Sequence, residues 1–223
     1  MTLNRDCLRS EYEDKKKLYE QLIGTVQFYI MTEIQSRNIK IHSFPYRIKS
    51  FDSLIDKIQR KKVKDPFQEI RDIVGLRIIC LFHTDVKEVG DIVKKNFHII
   101  EEDNKINNKD VNIFGYMSLH YKAKLKNTRK DPYYKSIKDI PFEIQIRTIA
   151  QDAWASISHY LDYKKGSEIP TQFKRDFYAL SGLFYVADTH FAMLKHELTK
   201  HFIDNIGKEL NNSTTRHRKG MRK

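Results

Sequence analysis

The sequence predicts an α+β fold, a central sheet with helices before and after it, on three observations. Val74 to Phe82 (VGLRIICLF) is a near-continuous apolar and β-branched run, as in a strand buried on both faces. Phe142 to Thr148 (FEIQIRT) alternates strictly, so Ile144 and Ile146 face one way and Glu143, Gln145 and Arg147 the other. Three-to-four spacing of apolar residues dominates both ends of the chain.

Taken in order, residues 4–38 read as a long helix on Leu18, Leu22, Ile23, Val26, Tyr29 and Ile30. Pro45 interrupts the pattern. Ser50 to Lys62 reads as a second helix with Phe51, Leu54, Ile55 and Ile58 on one face. Asp65-Pro66 marks a turn. After the apolar strand, Val86 to Lys95 reads as a short helix and Phe97 to Glu101 as a strand. Residues 102–112 are polar and read as a loop. Ser118 to Lys126 (SLHYKAKLK) alternates as a half-exposed strand does. Ile149 to Leu161 reads as a helix, and Pro170 to about Gly207 as one or two more. The tail from Asn211 is expected to be disordered. This divides the chain into an N-terminal helical extension (1–39), a central domain (40–165), C-terminal helices (166–210) and a basic tail (211–223).

Composition excludes several classes. Hydrophobic residues make up 40% of the 223, with 13 Phe and 12 Tyr, which is enough for a sizeable core. No apolar stretch is long enough to span a bilayer. The charged N-terminus is unlike a secretory signal, so a cytoplasmic location is expected. Cys7 and Cys80 form no metal-ligand pattern, and Cys80 reads as a core residue. The net charge is +12, concentrated in residues 40–64 and 122–138. Such clustering points to a polyanionic partner: nucleotide phosphates, RNA, or both.

Several segments carry candidate chemistry, each beside a plainer reading. The polar face of FEIQIRT is either a half-exposed sheet surface or a site floor offering a carboxylate, an amide and a guanidinium. Asp72, just before the apolar strand, is either a turn residue or a second carboxylate that could hold Mg²⁺ together with Glu143. Arg77 lies inside an apolar run, so it must pair or reach a cleft. Arg47, Lys49, Ser53, Lys57 and Arg60 lead into and along one helix face, as a solvated basic face or a triphosphate grip. Tyr116 follows Gly115 where a loop enters a strand and could stack on a base. His120 shares a sheet face with Ser118. No Gly-x-x-x-x-Gly-Lys loop or G-x-G-x-x-G motif is present.

Together, R-x-K-S with S and K following, D-I-V-G-L-R, G-Y-x-S-L-H, E-I-Q-I-R-T and W-A-x-x-x-H-x-x-x-Y-K resemble the synthetase domain of RelA/SpoT-type alarmone synthetases over residues 40–165. The length resembles the small alarmone synthetases of the RelQ/RelP kind. The resemblance implies a nucleotidyltransferase-like mixed sheet and transfer of the β,γ-pyrophosphate of ATP to the 3′-hydroxyl of GDP or GTP, giving AMP and ppGpp or pppGpp. By motif position it implies that Arg47 and Arg77 sandwich adenine, and that Lys49, Ser53, Lys57 and Arg60 grip the ATP phosphates. It also implies that Asp72 and Glu143 hold Mg²⁺, with Glu143 a candidate base. By the same resemblance, Tyr116 would stack on guanine, and His120, Gln145 and Asp152 would contact the acceptor. Met117 and Ser158 depart from the family pattern. The C-terminal helices resemble those that form a homotetramer. The chain has no adjacent His-Asp dipeptide, so no hydrolase activity is expected. The basic charge keeps two other readings open: a relative that modifies the tRNA 3′ end, and a non-catalytic RNA-binding regulator.

Overall fold

Asn4 starts the first helix by accepting the Asp6 amide at 2.9 Å, and α1 then runs Arg5–Ser36. The computed structural model of the protein describes residues 4–104, 118–127, 132–163 and 170–220. Two three-residue strands follow that the hydrophobic pattern does not reveal, β1 (Ile41–Ser43) and β2 (Tyr46–Ile48). Both pair antiparallel with β3 (Val74–Cys80), so Pro45 sits where an edge strand is interrupted, a position that tolerates it.

Ser50 caps α2 (Phe51–Lys61), which stops at Lys62 in the left-handed region, φ 51°. The Asp65-Pro66 turn carries a single helical turn, α3 (Pro66–Glu69), capped by Asp65. Next come α4 (His83–Asn96), β4 (Phe97–Asn104) and β5 (Leu119–Leu125). Residues 102–104, read from sequence as loop, continue β4 because they pair with Leu119 to Tyr121 of β5. Then α5 (Pro132–Ile137) leads to β6 (Phe142–Thr148) and α6 (Ile149–Tyr163). The chain after Pro170 forms one helix, α7 (Thr171–Gly220), of 50 residues. The expected disordered tail is therefore helical through Gly220. No proline falls within this span, so nothing interrupts the ladder.

The sheet has the order β1-β3-β6-β5-β4, with β2 also on β3. β3 and β6 run parallel, and the other pairings are antiparallel. One face is apolar. Val74, Leu76, Ile78, Phe142, Ile144, Ile146, Leu119, Tyr121 and Ala123 join a core with Leu22, Val26 and Ile30 of α1 and Val86, Val89 and Val93 of α4. Each buried Val, Leu, Ile or Phe among them contributes about 1.5–3 kcal/mol by leaving water. Phe97 and Phe142 meet edge-to-face at 5.3 Å. α4 lies close on β5, since a Cβ at Gly90 would come within 2.8 Å of Leu119 Cδ2.

The apolar run over Val74–Phe82 differs from a strand buried on both faces. Ile79 and Cys80 are buried, but Gly75 and Arg77 alternate onto a half-exposed face. That face is polar because it is the floor of a cleft. Polar ties hold α7 to the rest of the described chain, among them a contact of 3.2 Å between His83 Nδ1 and the Asp188 carbonyl. Thr148 Oγ1 donates to Asp188 Oδ2 at 2.6 Å, and Lys195 Nζ donates to Asp85 Oδ1 at 2.7 Å. Among the described residues, no helix is long and apolar enough to cross a membrane.

Candidate active site

Strand register assembles the site. Glu143 pairs with Gly75 and Gln145 with Arg77 across β3 and β6. On the other side of β6, Lys122 pairs with Glu143 and His120 with Gln145. Arg47 of β2 pairs with Gly75. Alternate residues share a face, so these side chains lie together opposite the helical core. Gly75 keeps the floor low: a Cβ there would touch Arg47 Cγ at 3.6 Å.

Asp72 collects two lysines. Lys57 Nζ is 2.5 Å and Lys49 Nζ 3.3 Å from Oδ2. Burial pushes the Asp72 carboxyl upward, but the two ammonium groups outweigh it and hold it below the usual aspartate range. Its Oδ1 is buried and has no hydrogen-bond partner. Glu143 Oε2 accepts from Gln145 Nε2 at 2.9 Å, and His120 Nδ1 lies 3.7 Å from Oε1. Burial raises this carboxyl, and the His120 ring and Gln145 amide bring it below the ordinary glutamate value. The charge of Asp72 reaches Glu143 and opposes that lowering, so the two carboxylates share one electrostatic environment.

These two carboxylates fit a hard divalent cation. The unpartnered Oδ1 of Asp72 is a free donor, and Mg²⁺ needs only one or two protein carboxylates when phosphates and water fill its other positions. Among the described residues, no group of three or more His, Cys, Asp or Glu gathers as a metal site.

At the other end of β6, Asp152 Oδ1 accepts from Arg77 Nη1 at 2.9 Å and Arg147 Nη1 at 3.3 Å. Arg147 Nη2 also donates to Gln145 Oε1 at 2.5 Å. Burial, and then the nearby Arg77, depress the Arg147 guanidinium to about 10. It remains a cation at neutral pH. A chain of polar contacts thus runs from Arg77 and Asp152 through Arg147 and Gln145 to Glu143, His120 and Ser118, whose Oγ is 2.8 Å from His120 Nε2.

Among the described residues, cavities open on this floor. One of about 140 Å³ lies between Arg47 and Arg77, over Gly75, with Tyr46 and Glu143 at its walls. A larger one of about 690 Å³ is lined by Arg77, His120, Gln145, Arg147, Trp154, His159 and Phe177. A third, about 200 Å³, lies beside Asp72 and is lined by Lys57, Lys61, Arg71, Glu101 and Lys122.

The structure therefore brings together Arg47, Lys49, Lys57, Asp72, Arg77, His120, Glu143, Gln145 and Asp152. It places Arg77 as its sequence context requires, paired and facing a cleft. Two further sequence candidates, on the helix that carries Lys57, have local partners. Ser53 is exposed and accepts from Ser50 Oγ at 2.9 Å, and Arg60 is exposed with Nε toward the Asp56 carbonyl at 3.4 Å. Tyr116, with Gly115 and Met117, lies outside the described residues. Lys122, Lys61 and Arg71 join the Asp72 cavity without having been singled out from sequence. Lys122 could have been found, since it stands two residues after His120 on the same alternating face.

The fold and site define an α+β protein with a cationic, two-carboxylate centre built for phosphoryl chemistry. The family model described as a region found in RelA / SpoT proteins matches residues 46–168, and the chain belongs to that family. A GTP pyrophosphokinase of Bacillus subtilis (strain 168), YwaC, is 32% identical over 160 residues, covering 68% of this chain and 72% of its own. The crystal structure of small alarmone synthetase 2 from Bacillus subtilis superposes with a TM-score of 0.71 at 27% identity, covering 84% of this chain and 99% of that one. Small alarmone synthetase 1 from the same organism, bound to its product pppGpp, gives 0.67 at 26% identity over 84% of this chain and 97% of that one.

Proposed function

We propose that this chain transfers the β,γ-pyrophosphate of ATP to the 3′-hydroxyl of GDP or GTP, forming ppGpp or pppGpp and releasing AMP. The observation that carries this reading is the single polar floor on which Asp72 and Glu143 stand between a cleft flanked by two arginines and a lysine-lined cavity. In the reaction the acceptor 3′-oxygen bonds to Pβ, and the bond from Pβ to the oxygen bridging it to Pα breaks. Such a transfer depends on alignment and charge neutralisation more than on a covalent intermediate.

In this reading Arg47 and Arg77 hold adenine in the cleft over Gly75. Lys49 and Lys57, with Ser53 and Arg60 along the same helix, hold the donor phosphates. His120, Gln145 and Asp152 serve the acceptor side, with Tyr116 stacking on guanine. Asp152 acts there through Arg77 and Arg147, whose guanidinium groups it keeps side by side. Glu143 is ionised at neutral pH and orients the 3′-hydroxyl, accepting its proton as the P–O bond forms. Asp72 and Glu143 would hold Mg²⁺, which supplies neutralisation of charge on the transferring phosphates. The reaction belongs to the cytoplasm, and the basic charge also suits RNA as a ligand. The exposed apolar side chains of α7, among them Leu183, Leu194, Leu198, Phe202 and Ile203, support a homo-oligomer of the tetrameric kind.

The test is incubation with Mg²⁺ and γ-labelled ATP, offering GMP, GDP, GTP and deacylated tRNA in separate reactions. Label on GDP or GTP is expected. Label on tRNA alone would replace the reading with tRNA modification, and label on no acceptor with clean RNA binding would replace it with a regulator.

A further inference from the structure

We infer that Tyr12, on the helix that precedes the family-matched region, is a positioning residue for Lys49. Tyr12 is 5% exposed, and its Oη donates to the Lys49 carbonyl at 2.9 Å. The Lys49 amide donates to the Ile73 carbonyl at 2.8 Å. Both backbone polar groups of Lys49 are therefore held, one by β3's approach and one by α1. A backbone fixed at both ends of the residue limits where its side chain can swing. That side chain places Nζ 3.3 Å from Asp72 Oδ2 and is 13% exposed.

The contact reaches further than one carbonyl. The Tyr12 ring packs on Phe51 at 5.7 Å, and Phe51 is the first residue of α2. Arg9, one turn earlier on α1, lies over the Phe51 ring at 4.4 Å, and Arg5 pairs with Asp52 at 3.0 Å. The helix so pinned carries Lys57, the second ammonium on Asp72. α1 thus braces the start of the segment that presents both lysines. Apolar packing of the ring alone would be met equally by phenylalanine. The hydroxyl adds one specific function, which is to fix the peptide that carries Lys49.

This inference rests on Lys49 acting as a donor-phosphate contact. Its test is Tyr12→Phe, which keeps the ring and removes the hydroxyl. Binding of the non-hydrolysable ATP analogue AMPCPP is measured by calorimetry, and KM for ATP and for the guanine nucleotide by turnover. Analogue affinity is expected to fall about fivefold, the factor one net hydrogen bond carries. KM for ATP rises to match, while KM for the guanine nucleotide stays unchanged. In a Lys49→Met background the same substitution is expected to have no further effect on analogue binding, because the residue it positions is gone. Unchanged analogue affinity in Tyr12→Phe overturns the inference. So does an equal loss in the Lys49→Met background, which would mean a global effect on the fold. A parent chain that binds analogue but labels no acceptor removes the proposed reaction and leaves the positioning of Lys49 standing on the binding results.

Discussion

Lys57 sets its ammonium 2.5 Å from Asp72 Oδ2 and leaves Oδ1 of the same carboxylate buried without a hydrogen-bond partner. One oxygen is satisfied by the protein and the other is buried with no partner of its own. A carboxylate divided in this way is suited to take a cation on its free side while staying anchored on the other.

The anchoring has a pH signature. Asp72 and Glu143 are both held below their ordinary values, so each stabilises the fold above the unfolded carboxylate pKa and loses that stabilisation as pH falls through its folded value. Asp72→Asn is expected to flatten the acid side of a Tm-against-pH curve. Lys57→Ala, which leaves a buried carboxylate with one fewer partner, is expected to cost roughly 1–3 kcal/mol in a denaturant titration at neutral pH. An acid limb of unchanged steepness in Asp72→Asn would show that the pair does not carry it.

Glu143→Gln keeps the shape of the side chain and its reach to Gln145 but removes the charge. Transfer is expected to fall by about 10²–10⁴, the range for a positioned proton acceptor, with far-ultraviolet circular dichroism unchanged. Near-normal turnover would mean that the reactive centre lies elsewhere on the floor.

Asp188 behaves in the opposite sense. Burial raises its carboxyl although the Thr148 hydroxyl partly offsets this. A raised carboxyl contributes stability that is complete below the unfolded pKa and is lost as pH rises through the folded pKa. Asp188→Asn is expected to abolish that decline, so its Tm gains on the parent from acid toward neutral pH. Parallel curves for the two proteins would contradict the assignment.

α7 presents Leu183, Leu194, Leu198, Phe202 and Ile203 to solvent, each more than half exposed. Light scattering is expected to find the parent as an oligomer and the pair Leu198→Lys, Phe202→Lys as a monomer. A monomeric parent at micromolar concentration would leave this face without the proposed partner.

Much of the sheet is legible from the amino acids because two of its strands carry unambiguous patterns. FEIQIRT alternates so strictly that its polar face, and with it Glu143, Gln145 and Arg147, can be read directly. Arg77 is conspicuous for the reverse reason, as a cation in an apolar run. What the pattern misses is short or set by tertiary pairing. β1 and β2 are three residues each and gain their strand character from β3, not from their own periodicity. Ser53 and Arg60 share a helical face with Lys57, yet Lys57 bonds to Asp72 while Ser53 and Arg60 bond within their own helix and its cap, because helical spacing fixes direction and not the partner. Tyr12 leaves no signal in sequence, since a tyrosine on an apolar helix face looks like any other core aromatic.

The strand that carries Glu143 is the last to leave the ribosome and the central one in the sheet, between β3 and β5. Until it arrives, those two neighbours each present an open edge, the kind of surface that other chains can pair with. A nascent polypeptide cut short before Glu143 would own the lysines and Asp72 but not the second carboxylate. With Glu143 in its proposed role, such truncated chains are expected to be silent as catalysts, and the strand that closes the sheet also completes the pair of carboxylates.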